Sequence, residues 1–122
     1  MIRVTGLDHI VLSVADVEKT LAWYCDELGL EPMQVEEWRA GTAFFPSARI
    51  NATTIIDFIP RRADEEVAAK NLDHFCLVVE PGADFSDFDV LEGPVPRLGA
   101  QGTATSFYVS DPDGNLVELR YY

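Results

Sequence analysis

The stretch Leu-Asp-His-Ile-Val-Leu-Ser-Val-Ala-Asp at residues 7–16 recurs as Leu-Asp-His-Phe-Cys-Leu-Val-Val-Glu-Pro at residues 72–81. Five of the ten positions are identical, and His9 and His74 are the only histidines in the chain. Each half then ends in a strand-like segment that carries one acid among apolar residues, Asp57 in the first half and Glu118 in the second. The sequence therefore predicts a duplicated unit in which each copy opens on a histidine and closes on a carboxylate.

The first copy has the pattern of a β-α-β-β-β unit. Residues 9–14 alternate between an aliphatic face and a face that carries His9, which is typical of a half-buried strand. Asp16 is a good N-cap and Gly29 a good stop signal, so the sequence predicts a helix between them with Val17, Leu21, Tyr24 and Leu28 on one face. Three further strands are predicted at residues 32–38, 41–47 and 50–59, with breaks at 39–40 and 47–48.

The second copy repeats this order with net four residues fewer between its histidine and its acid. A strand is predicted at residues 72–80, a short helix at 83–91 and strands near 93–98, 104–110 and 115–121, with a turn at Asp111-Pro112-Asp113-Gly114. The polar segment 61–71 is predicted to link the copies as a short helix or an exposed loop. We therefore expect an α+β fold of two tandem βαβββ modules, about 5–60 and 72–122, in one domain spanning residues 1–122.

Composition narrows the possible partners. With 122 residues and 48% hydrophobic residues, the chain is long enough for one globular domain with a core. Its net charge of −12 would repel a phosphate backbone, so nucleic acid and anionic membrane surfaces are not expected partners. No signal peptide or membrane-length apolar run is recognisable, and Cys25 and Cys76 form no CxxC pair. These features predict a cytoplasmic protein.

The candidate site follows from strand phase. In each half the acid lies on the opposite strand face from its apolar neighbours, as the histidine does. If helices cover the apolar faces, the two mixed sheets can wrap into a cup that holds His9, Asp57, His74 and Glu118. Two imidazoles and two carboxylates suit a divalent ion such as Mn, Fe, Co, Ni or Zn.

Three motifs carry a family resemblance: GLDHIVLSVADVEKTLAWYCDELGL at 6–30, NLDHFCLVVE at 71–80 and FYVSDPDGNLVELRYY at 107–122. On these the chain resembles the vicinal oxygen chelate superfamily, which includes glyoxalase I, extradiol dioxygenases and bleomycin-resistance proteins. The resemblance implies the glyoxalase/bleomycin-resistance/dioxygenase fold and matches His9, His74 and Glu118 to the family's metal ligands. Asp57 stands where glyoxalase I-like members have a glutamate. The resemblance also implies a small-molecule substrate and favours a homodimer.

The predicted function is that of a metal-dependent lyase or isomerase of the glyoxalase I-like type, acting on a small substrate chelated through two oxygens. A divalent ion acts as a Lewis acid there, and Glu118 or Asp57 is the candidate general base. An extradiol-type dioxygenase, using His9, His74 and Glu118, ranks second because no further histidine is left to assist the oxygen chemistry. A binding protein without catalysis, resembling bleomycin-resistance proteins, ranks third because such binders generally lack the metal ligands.

Two further sets of residues have competing interpretations. Cys76 shares a strand face with His74, but it is predicted to be a small core residue because no third histidine exists to activate its thiol. Four arginines could hold a substrate carboxylate by bidentate contacts or could pair with surface acids. These are Arg39, Arg49, Arg97 and Arg120.

Overall fold

The computed structural model describes residues 1, 3–62 and 72–122. The chain divides into two compact units, Met1–Glu66 and Val67–Tyr122, and each contains one four-stranded mixed sheet. The predicted α+β class is confirmed. The predicted linker at 61–71 lies outside the described residues from position 63 onward. No helix in the described part of the chain is long and apolar enough to cross a membrane.

The first sheet is formed by strands β1 (His9–Val14), β2 (Glu31–Met33), β3 (Ser47–Asn51) and β4 (Thr54–Pro60). Their order is β1-β4-β3-β2, with β1 parallel to β4 and the other pairs antiparallel. The predicted alternation of β1 is confirmed, because Leu12 and Val14 are buried while His9 and Val11 are exposed. One face of this sheet therefore belongs to the core, and the other carries the first histidine.

The predicted helix after Asp16 is also confirmed. It begins as α1 (Val17–Leu21), with the Asp16 carboxylate accepting the Lys19 N–H at 3.1 Å, and continues as a π-helical segment, Ala22–Glu27. Val17, Leu21 and Tyr24 are buried, and the Tyr24 ring packs 5.2 Å from that of Phe58 on β4. The helix thus covers the apolar face of the sheet and leaves the histidine face uncovered by it.

The strands predicted at 32–38, 41–47 and 50–59 are wrong in their boundaries. Gln34 adopts a left-handed conformation that ends β2 (φ 58°), and residues 35–39 form a second helix, α2 (Val35–Arg39). This helix carries acids in its first turn and Arg39 in its last, which suits the helix dipole. Residues 41–46 are irregular. The break predicted at 47–48 is wrong, because both residues lie inside β3. The Ser47 hydroxyl donates to Asp57 within the sheet and does not mark a loop.

The second sheet is formed by β5 (Phe75–Val78), β6 (Glu92–Gly99), β7 (Gly102–Ser110) and β8 (Leu116–Tyr121). Their order, β5-β8-β7-β6, repeats that of the first sheet, and β5 is parallel to β8. The strands predicted in this half are confirmed to within a few residues. The predicted turn before β8 is fixed by Asp111, whose buried carboxylate accepts the N–H groups of Asp113 and Asn115 at 2.9 and 2.8 Å.

The helix predicted at 83–91 is wrong, because these residues form turns and irregular backbone. The Asp84 carboxylate accepts the Ser86 N–H at 2.9 Å, a local hydrogen bond that competes with helix formation. Phe85 nevertheless covers the apolar face of the second sheet, because its ring stacks on Phe107 at 4.1 Å. An irregular segment therefore performs the covering role that the helix has in the first unit.

Candidate functional site

In each sheet, the histidine and the acid lie on neighbouring parallel strands, with the same offset between them. Val11 pairs with Asp57 across the parallel strands of the first unit, and Cys76 pairs with Glu118 in the second. In both units the histidine lies two residues before the paired position and hence on the same face as the acid. The structure therefore gives each unit one histidine–carboxylate pair at repeat-equivalent positions.

An aspartate next to each histidine fixes the orientation of the ring. His9 Nδ1 lies 2.8 Å from the Asp8 carboxylate, and His74 Nδ1 lies 2.6 Å from that of Asp73. A carboxylate accepts hydrogen bonds, so Nδ1 carries the proton and Nε2 is the ring nitrogen turned toward other groups. Histidines that bind metals characteristically donate their second N–H to such a carboxylate. Sequence reasoning missed this role, although the repetition of Asp within Leu-Asp-His was its signal.

A serine on the neighbouring strand holds each acid. Ser47 Oγ donates to Asp57 Oδ1 at 2.6 Å, and Ser106 Oγ donates to Glu118 Oε2, also at 2.6 Å. Both acids and both serines are buried. Each hydrogen bond occupies one carboxylate oxygen and leaves the other for a further ligand. These serines were not predicted as site residues, because strand register alone brings them to the acids.

The donor set in the second unit fits a bound cation. His74 Nε2 lies 3.1 Å from Glu118 Oε1, while Nδ1 faces Asp73. Each ring nitrogen of His74 therefore faces a carboxylate oxygen, and a metal ion bound at Nε2 would be shared with Glu118 while Asp73 holds Nδ1. Within each unit taken by itself, the described residues contain no cluster of three or more His, Cys, Asp or Glu side chains. Each unit thus offers two of the four predicted ligands.

Glu118 has more polar partners than Asp57 does. Burial acts to raise the pKa of Glu118, but hydrogen bonds from Ser106 and Tyr108 and the charges of His74 and Arg120 outweigh it, so the pKa is lowered. The Arg120 guanidinium is buried and lies 3.4 Å from Glu118 Oε2. In the first unit the repeat-equivalent position of Arg120 is Ile59, which is apolar. The two carboxylates therefore occupy different environments on equivalent strands.

The interpretation of Cys76 as a core residue is wrong. Strand alternation places Cys76 on the exposed face of β5, beside Glu118. Burial by the surrounding sheet and then the charge of Glu118 raise the pKa of its thiol to about 11, even though part of the side chain reaches solvent. The thiol is therefore protonated near neutral pH, when it is a poor nucleophile.

Comparison with known proteins agrees with this geometry. The family model described as Glyoxalase/Bleomycin resistance protein/Dioxygenase superfamily matches residues 6–119. The chain belongs to this superfamily. A solved integron cassette protein from Vibrio cholerae superimposes with a TM-score of 0.74 and 30% identity, covering 100% of this chain and 98% of that one. The predicted resemblance and the fold that it implied are thus confirmed.

Curated relatives of this superfamily member carry different functional names. The virulence protein STM3117 of Salmonella typhimurium is 31% identical over 95% of this chain and 83% of its own length. A protein of Synechocystis named probable lactoylglutathione lyase is 26% identical over 91% of each chain. The 3-methylcatechol 2,3-dioxygenase of Pseudomonas putida is 32% identical over 93% of this chain, which spans 40% of the dioxygenase. The names of these relatives therefore include both enzyme types considered from the sequence.

Proposed function

We propose that this superfamily member is a metal-dependent lyase or isomerase of the glyoxalase I-like type. Its substrate would be a small molecule chelated through two oxygens, and His9, Asp57, His74 and Glu118 would be the ligands of one divalent ion. The observation that carries the proposal is the pairing of a histidine and a buried acid at equivalent register positions of both sheets. If each histidine had only a structural role in its strand, nothing would require a histidine and a buried acid to occur together at equivalent positions of both sheets.

The ligand chemistry supports Ni, Zn, Mn, Fe or Co as the metal, since imidazole suits such ions better than it suits Mg or Ca. When bound, the ion would supply Lewis-acid stabilisation of negative charge on the substrate oxygens. Asp8 and Asp73 would keep Nε2 of each histidine available, because each holds Nδ1. Ser47 and Ser106 would hold the carboxylates in the orientation that the hydrogen bonds at 2.6 Å define.

Asp57 and Glu118 are the proposed catalytic groups, each able to accept a substrate proton as a general base. Their surroundings support unequal roles. Glu118 contacts His74, Ser106 and Arg120, whereas Asp57 is held by Ser47 between the apolar positions Val11 and Ile59. A carboxylate with fewer hydrogen bonds is easier to reorient, which favours Asp57 as the group that moves the proton.

Metal analysis tests this proposal. Protein loaded in turn with each divalent ion and desalted should retain about one equivalent per chain, with affinity measured by calorimetry. His9→Ala and His74→Ala should each weaken binding by about 100-fold or more, whereas Asp87→Asn, an exposed acid away from the strands, should not. Stoichiometric metal binding that survives both histidine substitutions would contradict the proposed ligand set, as would failure to bind any of the ions.

An extradiol-type dioxygenase is the second candidate, and the 3-methylcatechol 2,3-dioxygenase relative supports it. His9, His74 and Glu118 could hold Fe(II), since two histidines and one carboxylate are its usual ligands in such oxygenases. Oxygen uptake by the Fe(II)-loaded protein in the presence of catechols would establish this alternative. Proton exchange at the carbon next to a substrate carbonyl, without oxygen uptake, would instead support the isomerase.

The same proposal includes a homodimer in the cytoplasm. Membership of the superfamily supports the dimer, and the two cysteines without a CxxC spacing support the reducing compartment. Light scattering after size-exclusion chromatography should give twice the chain mass of 13.6 kDa. A mass that stays at one chain across a range of concentrations would contradict the dimer.

A further inference from the structure

The side chains of the four candidate arginines lie in different surroundings. Both Arg39 Nε and Nη2 donate to Glu18, at 2.8 and 2.7 Å, on the helical side of the first unit. Arg49 donates to the carbonyls of Asn51 and Ala52 in a hairpin. The Arg120 side chain is buried. Of the four, Arg97 combines a partly exposed side chain, 39% accessible, with a position beside the second histidine–acid pair.

Tyr108 connects Arg97 to that pair. The Arg97 guanidinium carbon lies 5.8 Å from the centre of the Tyr108 ring, and the His74 ring lies 5.7 Å from the same centre. Tyr108 is also the register partner of Glu118 across strands β7 and β8. Arg97 is paired with Ala104, which shares the face of Tyr108. The cation, the phenol and the histidine–acid pair therefore line one face of the second sheet.

The hydrogen bonds of the Arg97 guanidinium lie at the surface. Its Nη2 lies 2.7 Å from Glu92 and its Nη1 donates to the Pro96 carbonyl at 2.9 Å, and the side chains of Arg97 and Glu92 are 39% and 55% accessible. Exposed ion pairs contribute little to stability, because water solvates the separated charges almost as well. A carboxylate delivered by a ligand anchored elsewhere could compete with Glu92 for the guanidinium. The binding energy of the anchored part of the ligand would also offset the repulsion between an anion and a chain of net charge −12.

The backbone at Arg97 is held in place. Arg120 Nη2 donates to the Arg97 carbonyl at 2.8 Å, while its Nη1 lies 3.4 Å from Glu118 Oε2. One buried side chain thus links the strand that presents Arg97 to the acid of the candidate site. This link fixes the backbone of Arg97 relative to the acid, which favours a binding site for a ligand of defined length.

We propose that Arg97, stacked on Tyr108, forms a carboxylate subsite beside His74 and Glu118. The substrate class is then a small organic acid whose two chelating oxygens are separate from the carboxylate that Arg97 binds. This inference rests on the proposed metal-dependent function and adds the substrate's charge to it. Arg97 acts as a specificity-determining residue, and Arg120 as the residue that positions it.

Two hydroxamates test the subsite, because a hydroxamate chelates a metal through two oxygens. Acetohydroxamate has a neutral tail, and the monohydroxamate of succinate ends in a carboxylate. Calorimetry on metal-loaded wild-type protein should give an affinity for the carboxylate-tailed probe about tenfold higher or more. Arg97→Met should abolish this preference without changing the affinity for acetohydroxamate or the metal content, and Arg97→Lys should reduce it. The matched control Arg49→Met should keep it.

The outcomes separate the subsite from the function on which it rests. Equal affinity of the wild type for both probes, or a preference that persists in Arg97→Met, would overturn the subsite while leaving the metal site intact. Binding of neither probe to protein that retains no metal would overturn the proposed function and the subsite together. Circular dichroism of each variant checks that the fold is retained.

Discussion

Gly99 lies so close to the Arg120 guanidinium that a Cβ atom at position 99 would overlap its Cζ and Nη1 atoms. Arg120 is only 4% exposed, and its guanidinium donates to the carbonyls of Arg97 and Gly102 at 2.8 and 3.2 Å. Its Nε is buried, and no described residue pairs with it. The absence of a side chain at Gly99 is thus what allows a guanidinium to lie under this part of the sheet.

Gly99→Ala should therefore displace Arg120 and break its hydrogen bonds to the backbone. We expect the free energy of unfolding to fall by about 1–3 kcal/mol, the usual cost of leaving buried polar groups without partners. Urea denaturation measures the change. Gly6→Ala is the matched control, since nothing lies within 4 Å of a Cβ at that position. Equal effects of the two substitutions would show that the contact is unimportant.

Replacing either of the two buried serines should lower the free energy of unfolding by more than the small size of the side chain indicates. Ser106→Ala and Ser47→Ala each remove a hydroxyl that donates to a buried carboxylate at 2.6 Å. Hydrogen bonds to charged groups contribute about 1.5–3 kcal/mol, so each variant should lose stability in this range. Ser13→Ala, on the exposed face of β1, provides the comparison and should change the free energy of unfolding by less than about 0.5 kcal/mol. Similar losses in all three would contradict the role given to the buried pairs.

Strand phase was predictable from the sequence because it depends on local alternation, and His9, Asp57 and Glu118 lie on the predicted faces. The irregular backbone at 83–91, where a helix was predicted, was not predictable, because Phe85 reaches Phe107 and covers the sheet without a helix. The partners of the acids depend on register between distant segments. Ser106 is 12 residues from Glu118, and Arg97 is 23 from Arg120. Such contacts leave no local pattern, whereas Asp8 and Asp73 could have been found from the repeat itself.

Cys76 should react slowly despite its exposure. Because its pKa is raised to about 11, roughly one thiol in a thousand is ionised at pH 8. Alkylation by iodoacetamide should then accelerate about tenfold per pH unit over the alkaline range. Cys25 has a pKa of about 11 as well, so the measurement uses a Cys25→Ser background. Adding Glu118→Gln should raise the rate, since the Glu118 charge is the second cause of the shift after burial. A fast, pH-independent reaction would contradict the raised pKa.

Asp8→Asn tests whether the repeated aspartate controls its histidine. The hydrogen bond from Nδ1 to Asp8 is the main cause that raises the pKa of His9 above 6.5; desolvation opposes it, and the charges of Asp57 and Asp8 add to it. The stabilisation that accompanies this raised pKa is fully present below about pH 6.5 and is lost as the pH rises through the folded-state value. In Asp8→Asn the pKa of His9, followed by NMR of the ring Cε1–H, should fall, and affinity for a divalent ion should drop about 10–100-fold. Asp73→Asn should leave the His9 titration unchanged, because that aspartate contacts His74. If Asp8→Asn alters neither the titration of His9 nor the metal affinity, the aspartate of the Leu-Asp-His repeat has no part in preparing the histidine as a ligand.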